Sequence, residues 1–267
     1  MRKDTLRFIV LLLIVMLPLS LAGCSGTGSN NNTGQDQNGQ TQSPPEVLSM
    51  GSESMTTETP QAEPVKKEPA KLYYLGHASV RIETSEGKVI YIDPYAGEDY
   101  SVPADLILVT HYHADHYNLK KVTRNELCKV VDCLDAIDGN TYKTFDIKGI
   151  KIQPVPAYND NHNRAECVGY VIEFDGIKLY HAGDTSKTEE MADLASLNLD
   201  YALLPIDGVY NMGPEEAMEC AALIQAKHTI PIHTGPDGVY GEENVSKFTA
   251  EGTIVLKPGD TLELKAD

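Results

Sequence analysis

From Lys71 onward the apolar positions fall into short runs separated by turn-forming residues, and the spacing within each run predicts its element. Residues 72–84 and 89–93 alternate apolar and polar side chains about Ser85-Glu86-Gly87-Lys88, a period of two that predicts a β-hairpin with one buried face. Leu106-Ile107-Leu108-Val109-Thr110 is apolar almost throughout, as expected of a strand covered on both sides. Further strands are predicted at 129–131, at 145–156 as a pair turning at Lys148-Gly149, and at 169–174 and 177–181 about Asp175-Gly176. Residues 118–127 and 188–195 read as helices. Pro214 opens another, with Glu215 and Glu216 in its first turn, where acid favours the helix N-terminus. Buried strands at 202–206 and 228–233, a helix at 242–250 and closing strands at 253–256 and 261–264 complete the pass.

A hairpin-rich start followed by strand–helix units has many apolar faces to cover. Two mixed sheets with helices on their outer faces would bury them in layers and gather strand ends at one rim. The expected class is therefore α/β, an αββα four-layer sandwich, and 71–267 contains no second linker and no repeat period, so it reads as one domain.

The N-terminal part differs in kind. Arg2 and Lys3 precede an apolar run at 8–19 that is short for a membrane span, and Leu21-Ala22-Gly23-Cys24 follows. This segment resembles the lipobox of bacterial lipoproteins, so 1–24 is expected to be a signal peptide and Cys24 the lipidated first residue of the mature chain. An uncleaved signal anchor is the alternative, and both place the domain on the extracytoplasmic side of the cell membrane, with the lipid bilayer as a partner. Residues 25–70, rich in Ser, Thr, Asn, Gln, Gly, Pro and Glu, bury too little to offset the entropy of ordering and read as a disordered tether. A formal net charge of −17 argues against nucleic acid as a partner, because binding a phosphate backbone needs clustered Lys and Arg. Cys128, Cys133, Cys167 and Cys220 match no metal-binding C-x2-C spacing and read as buried free thiols, with disulfides as the alternative in an exported domain.

The chemistry concentrates in His111-Tyr112-His113-Ala114-Asp115-His116, directly after the apolar strand. Three imidazoles and a carboxylate within six residues at a strand end can aim at two adjacent points, the layout of a loop feeding two metals. With only eight His in the chain, chance would produce this pattern in about one sequence of such composition in two thousand.

With Tyr74-Leu75-Gly76-His77-Ala78-Ser79, Ile92-Asp93-Pro94, Tyr180-His181-Ala182-Gly183-Asp184-Thr185 and Ile230-Pro231-Ile232-His233 in the same order, the chain resembles the metallo-β-lactamase superfamily. The likeness is to the branch of ascorbate-6-phosphate lactonase and N-acyl-phosphatidylethanolamine phospholipase D. It implies His111 and His113 on one metal, Asp115, His116 and His233 on a second, and Asp184 bridging both. It also implies that Asp115 is catalytic, orienting a hydroxide generated from metal-bound water. Imidazole and carboxylate suit Zn²⁺, with Mn²⁺, Fe²⁺ and Ni²⁺ as competitors. The expected function is hydrolysis of an ester, lactone, thioester or phosphodiester in a small-molecule substrate. The alternative is a noncatalytic surface lipoprotein whose degenerate metal site binds a small ligand. Asp93 is either a support for the metal loop or a plain turn residue, and His77, His181 and His228 read as supporting or packed side chains. Tyr158, Tyr210 and Met212 lead to the rim but fit the core as well.

One departure from the family pattern stands out. Where the first metal commonly receives a third His, this chain has Asn159, and His162 follows three residues later. Either the loop folds back so that His162 completes the site, or His162 lies exposed and Asn159, water or substrate must serve.

Overall fold

Two six-stranded sheets stack face to face in the computed structural model, which describes residues 67–266. The expected signal peptide, Cys24 and residues 25–66 of the expected tether lie outside the described residues. The first sheet is built from β1 (Lys71–Gly76), β2 (Ser79–Glu83), β3 (Val89–Ile92), β4 (Ala104–Leu108) and β5 (Arg124–Val131). After helix α1 (Cys133–Ala136) and the small hairpin β6 (Ile137–Asp138) and β7 (Thr141–Tyr142) comes the second sheet. It contains β8 (Phe145–Ile147), β9 (Ile150–Pro156), β10 (Val168–Phe174), β11 (Ile177–His181), β12 (Tyr201–Pro205) and β13 (His228–Ile232), and the late strand β14 (Thr261–Glu263) returns to the first sheet beside β1.

Alternation fixes which side chains meet between the sheets. Val80, Ile82, Ile90, Ile92, Leu106 and Leu108 face Ile150, Ile152, Tyr170, Ile172, Leu203 and Ile230 in one core. Each fully buried Ile or Leu contributes about 1.5–3 kcal/mol over an exposed one. The other face of the second sheet, with Ala202, Leu204 and Ile206, is covered by a 3₁₀ helix (Glu189–Leu197), α2 (Pro214–Ile224) and α3 (Glu242–Lys247). In α2 the buried residues Ala217, Cys220 and Ile224 recur at helical spacing, which produces the stripe that docks. The outer layer over the first sheet is mostly irregular chain: Tyr100, Val102, Leu119 and Val122 close over Tyr91, Ile107 and Val109. The architecture is the αββα sandwich with that layer reduced.

Some elements differ from the sequence reading. Residues 118–127 form turns and then the start of β5, because β5 is an edge strand, mostly exposed, whose polar sequence hides its parallel pairing with β4. The run 72–84 is two strands folded back at Gly76-His77-Ala78, with Gly76 at φ +110° and His77 at φ +54°. Residues 253–256 contribute one bridge, Thr229 to Thr253, and no strand. Cys128, Cys133, Cys167 and Cys220 are all free thiols, and all but Cys128 are buried.

Strand direction creates the site. β3 and β4 are parallel, as are β11, β12 and β13, and the antiparallel pairings make β1 and β9 run with them. The C-terminal ends of these seven strands therefore face one rim, the position where open α/β sheets hold ligands.

Candidate metal centre

Each strand end turns sharply and delivers a polar side chain. β1 leads to His77, β3 to Asp93, β4 to Thr110 and His111, β9 to Asn159, β11 to Asp184, β12 to Asp207 and β13 to His233. His77, Asp93 and His233 adopt left-handed backbone at φ +54°, +46° and +42°, a conformation that costs energy and is retained where the surroundings enforce it. Gly183, at φ +63°, lets the chain pass so closely that a Cβ would lie 2.8 Å from the Val168 carbonyl oxygen. Only glycine fits there, and Asp184 is set by it.

The structure brings all seven sequence-predicted side chains to one place. Ligand atoms of His111, His113 and His162 lie within 4.8 Å of one another, as do those of His77, Asp115, His116 and His233, and those of His111, His116 and Asp184. Asp184 sits between the groups. Its Oδ1 is 3.3 Å from His116 Nε2, and its Oδ2 is 3.3 Å from His162 Nε2, 3.5 Å from His233 Nε2 and 4.0 Å from His111 Nε2. His113, Asp115, His162, Asp184 and His233 line a pocket of about 300 Å³ that also reaches Asn161 and Tyr210. A larger hollow of about 520 Å³, lined by Lys151, Glu173 and Lys178 among others, holds no His and no comparable cluster.

The donor set fits divalent ions. His111 Nε2, His116 Nε2 and Asp184 Oδ1 are buried with no hydrogen-bond partner, an arrangement that costs about 1–3 kcal/mol per group unless a cation satisfies them. Burial pushes His111 down to about 3, so its imidazole is neutral and its lone pair free. Burial also opposes a charge on His116, yet Asp184 and Asp93 outweigh it and raise its pKa well above the usual value. Burial likewise opposes ionisation of Asp184, but His116 and His233 hold it well below the usual range. With Nδ1–H committed to Asp93, a neutral His116 sets its Nε2 lone pair 3.3 Å from Asp184 Oδ1, and the site's preference for positive charge is one that a bound cation would satisfy in place of the proton.

Supporting contacts orient the rings. Asp93 Oδ2 accepts from His116 Nδ1 at 2.8 Å and from Thr110 Oγ1 at 2.7 Å, and that hydroxyl lies 3.1 Å from His111 Nδ1. One buried carboxylate thus aims the Nε2 atoms of His116 directly and of His111 through Thr110. The plain-turn reading of Asp93 is thereby excluded. Substituting Asp93→Asn would set an amide donor against His116 Nδ1–H, favouring the wrong tautomer. It is expected to weaken metal binding by about 10–100-fold, measured by competition with a chromophoric chelator; unchanged affinity would refute this role.

His162 is 3% exposed, which excludes the exposed alternative. Its Nδ1 donates to Asn159 Oδ1 at 2.9 Å, leaving Nε2 turned toward Asp184. Asn159 donates in turn to the Tyr210 carbonyl at 2.9 Å. His77 Nε2 donates to Asp115 Oδ2 at 3.2 Å, and this bond, ahead of partial burial acting the other way, holds the Asp115 carboxyl well below its ordinary range. His181 joins the two sheets instead, its Nε2 donating to the Ala78 carbonyl at 2.9 Å. His228 stacks on Tyr201 at the opposite end of β13. Met212 is core, and the Tyr158 hydroxyl binds Glu190. Asp207, unremarked in the sequence, lies 3.3 Å from His233 Nδ1, close but poorly aligned for a hydrogen bond. Its only signal was an acid at a buried strand's end before Gly208.

Comparison with known proteins agrees with this geometry. The Beta-lactamase superfamily domain matches residues 71–233. A UPF0173 metal-dependent hydrolase of Thermococcus onnurineus is 35% identical over 224 residues, covering 73% of this chain and 99% of the relative. One from Thermus thermophilus is 32% identical over 223 residues, covering 72% and 97%. The structure of Igni18, a metallo hydrolase from Ignicoccus hospitalis, superposes with a TM-score of 0.57 at 24% identity, covering 74% of this chain and all of that one, and shows the shared fold.

Proposed function

Because the chain belongs to the UPF0173 metal-dependent hydrolases of the β-lactamase superfamily, we propose that it works as a dinuclear hydrolase, with Zn²⁺ the favoured ion and an ester, lactone, thioester or phosphodiester as substrate. The observation that carries this reading is the convergence of three partnerless buried atoms, on His111, His116 and Asp184, with Asp184 also lining a pocket beside His113, Asp115, His162 and His233. His111, His113 and His162 would hold one ion, Asp115, His116 and His233 the other, and Asp184 would lie between. A bound pair of divalent ions lowers the pKa of water toward neutrality and polarises the bond under attack. The protein's share is positional. Asp93 fixes two imidazoles, and His77 holds Asp115, half-exposed at the pocket, where it can accept a hydrogen bond from the attacking water. A noncatalytic role finds no support in the named relatives.

Chelation is expected to abolish hydrolysis, and added Zn²⁺ or Mn²⁺ to restore it, as followed with a panel of lactones, thioesters, carboxylic esters and phosphodiesters. Full activity in protein shown metal-free by elemental analysis would overturn the reading. The same proposal includes anchoring through Cys24. Cys24→Ala should move the protein from the membrane fraction to the soluble one with catalysis intact, since a tether separates anchor from site. Retention in the membrane would favour an uncleaved anchor.

A further inference from the structure

Resting on the hydrolase reading above, we infer that the pocket takes an uncharged ester or lactone with an apolar acyl body and selects against substrates whose tail carries an anionic group such as phosphate. Among the described residues ten large hydrophobic side chains are exposed, and six of them, Tyr95, Tyr112, Tyr117, Val209, Tyr210 and Val239, belong to the loops that build the site. Their contacts place them. The Tyr95 ring lies 5.9 Å from that of His77, and the Val239 carbonyl accepts the His77 backbone N–H at 2.7 Å. Tyr112 and Tyr117 bracket the metal loop and meet edge to face at 4.9 Å. Val209 and Tyr210 ride on a loop whose backbone N–H groups converge on Asp207 Oδ1, and Asn159 and Asn161 both donate to the Tyr210 carbonyl. These are apolar groups on braced loops, and a concentration of that kind marks a ligand groove rather than random surface composition.

The charge pattern points the same way. Recognition of phosphate relies on Arg or Lys, or on free N–H groups at a helix start. No Lys or Arg lines the pocket. Arg81, Lys121, Arg164 and Lys187 on neighbouring segments are each paired with a carboxylate, of Asp99, Glu98, Glu190 and Glu219 respectively. Helix α2, which follows the Tyr210 loop, begins with Pro214 and places Glu215 and Glu216 in its first turn, which repels an anion. An anionic tail would find no Lys or Arg in the pocket lining, whereas an alkyl or aryl body would cover the Tyr210 ring and its neighbours on the same loops. Each methylene buried completely is worth about 0.8 kcal/mol, or about fourfold, so about twofold is expected on a half-open rim.

The test uses the metal-loaded full chain with p-nitrophenyl acetate, butyrate and octanoate, and an octanoate ester ending in phosphate. The expected result is about a tenfold rise in kcat/KM from butyrate to octanoate and a fall of about tenfold or more for the phosphate-ended ester. Tyr95→Ala combined with Tyr210→Ala should flatten the chain-length rise, and the corresponding Phe pair should keep it. A flat series in the parent protein, or preference for the phosphate-ended ester, overturns the proposal. Binding of alkyl hydroxamates from acetyl to octanoyl, measured by calorimetry, separates this failure from that of the hydrolase reading. Affinity that rises with chain length while no ester is hydrolysed supports the apolar rim and sinks the hydrolase reading; affinity that stays flat sinks the rim.

Discussion

His162→Ala is expected to bind one divalent ion per chain where the parent binds two, and to lose about 1000-fold or more in kcat/KM, because three imidazoles would fall to two at the first position. The geometry leaves His162 little freedom. Asn159 and His162 exchange backbone hydrogen bonds of 3.1 and 3.2 Å, closing a tight turn that folds the ring inward. The ring centroid then lies 5.0 Å from that of His111 and 4.9 Å from that of His113. Asn159→Ala removes the acceptor that aims the ring but leaves the ring itself, so it should weaken the first ion by only about 10–100-fold. Elemental analysis and competition titration measure both variants. If His162→Ala holds two ions as tightly as the parent, the assignment fails; if Asn159→Ala is the more damaging, the amide itself is the ligand.

For Asp184→Asn the expected result is loss of at least about 1000-fold in affinity for both ions together, since Oδ1 faces His116 while Oδ2 faces His162 and His233, so that the carboxylate spans both groups, and an amide offers one oxygen and no charge. Normal binding of two ions by this variant would remove the bridging role. The metal-free proteins supply a second readout through pH. His111 has its folded pKa pushed down to about 3 while the unfolded chain titrates near 6.5. Its contribution to stability is therefore present above about pH 6.5 and lost as pH falls from there toward 3. His116 works in the opposite sense: its pKa is raised, so its contribution is full below about pH 6.5 and lost as pH rises through the folded value. The Asp184 carboxylate beside His116 Nε2 contributes most to that rise, so Asp184→Asn should weaken the alkaline loss of stability in chelated protein and leave the acid loss from His111. Urea midpoints between pH 5 and 9 test this, and an unchanged alkaline limb would count against the coupling of Asp184 to His116.

What the sequence determined by itself follows from local periodicity and local motif. Strands such as β4 and β10 announce themselves because a buried face requires alternation and a doubly covered strand requires an unbroken apolar run. His111, His113, Asp115 and His116 stand within one short loop, and Asp184 and His233 each follow an apolar strand, so a cluster of His and Asp able to hold metal was legible through the resemblance these motifs carry. Of β5 only the end at 129–131 was legible, since its exposed first part, read as helix, has no apolar face to betray it. The tertiary structure alone shows where the two side chains of that polar loop point: Asn159 donates to the Tyr210 carbonyl some fifty residues away, and His162 Nε2 turns toward Asp184. It also decided that Asp93 serves two imidazoles, that His77 holds Asp115, and that Asp207 stands behind His233. Each of these pairs joins loops that are separated in the chain, and only the order and shared direction of the strands within a sheet, β1 with β3 and β4 in the first and β12 beside β13 in the second, brings those loops within hydrogen-bond reach.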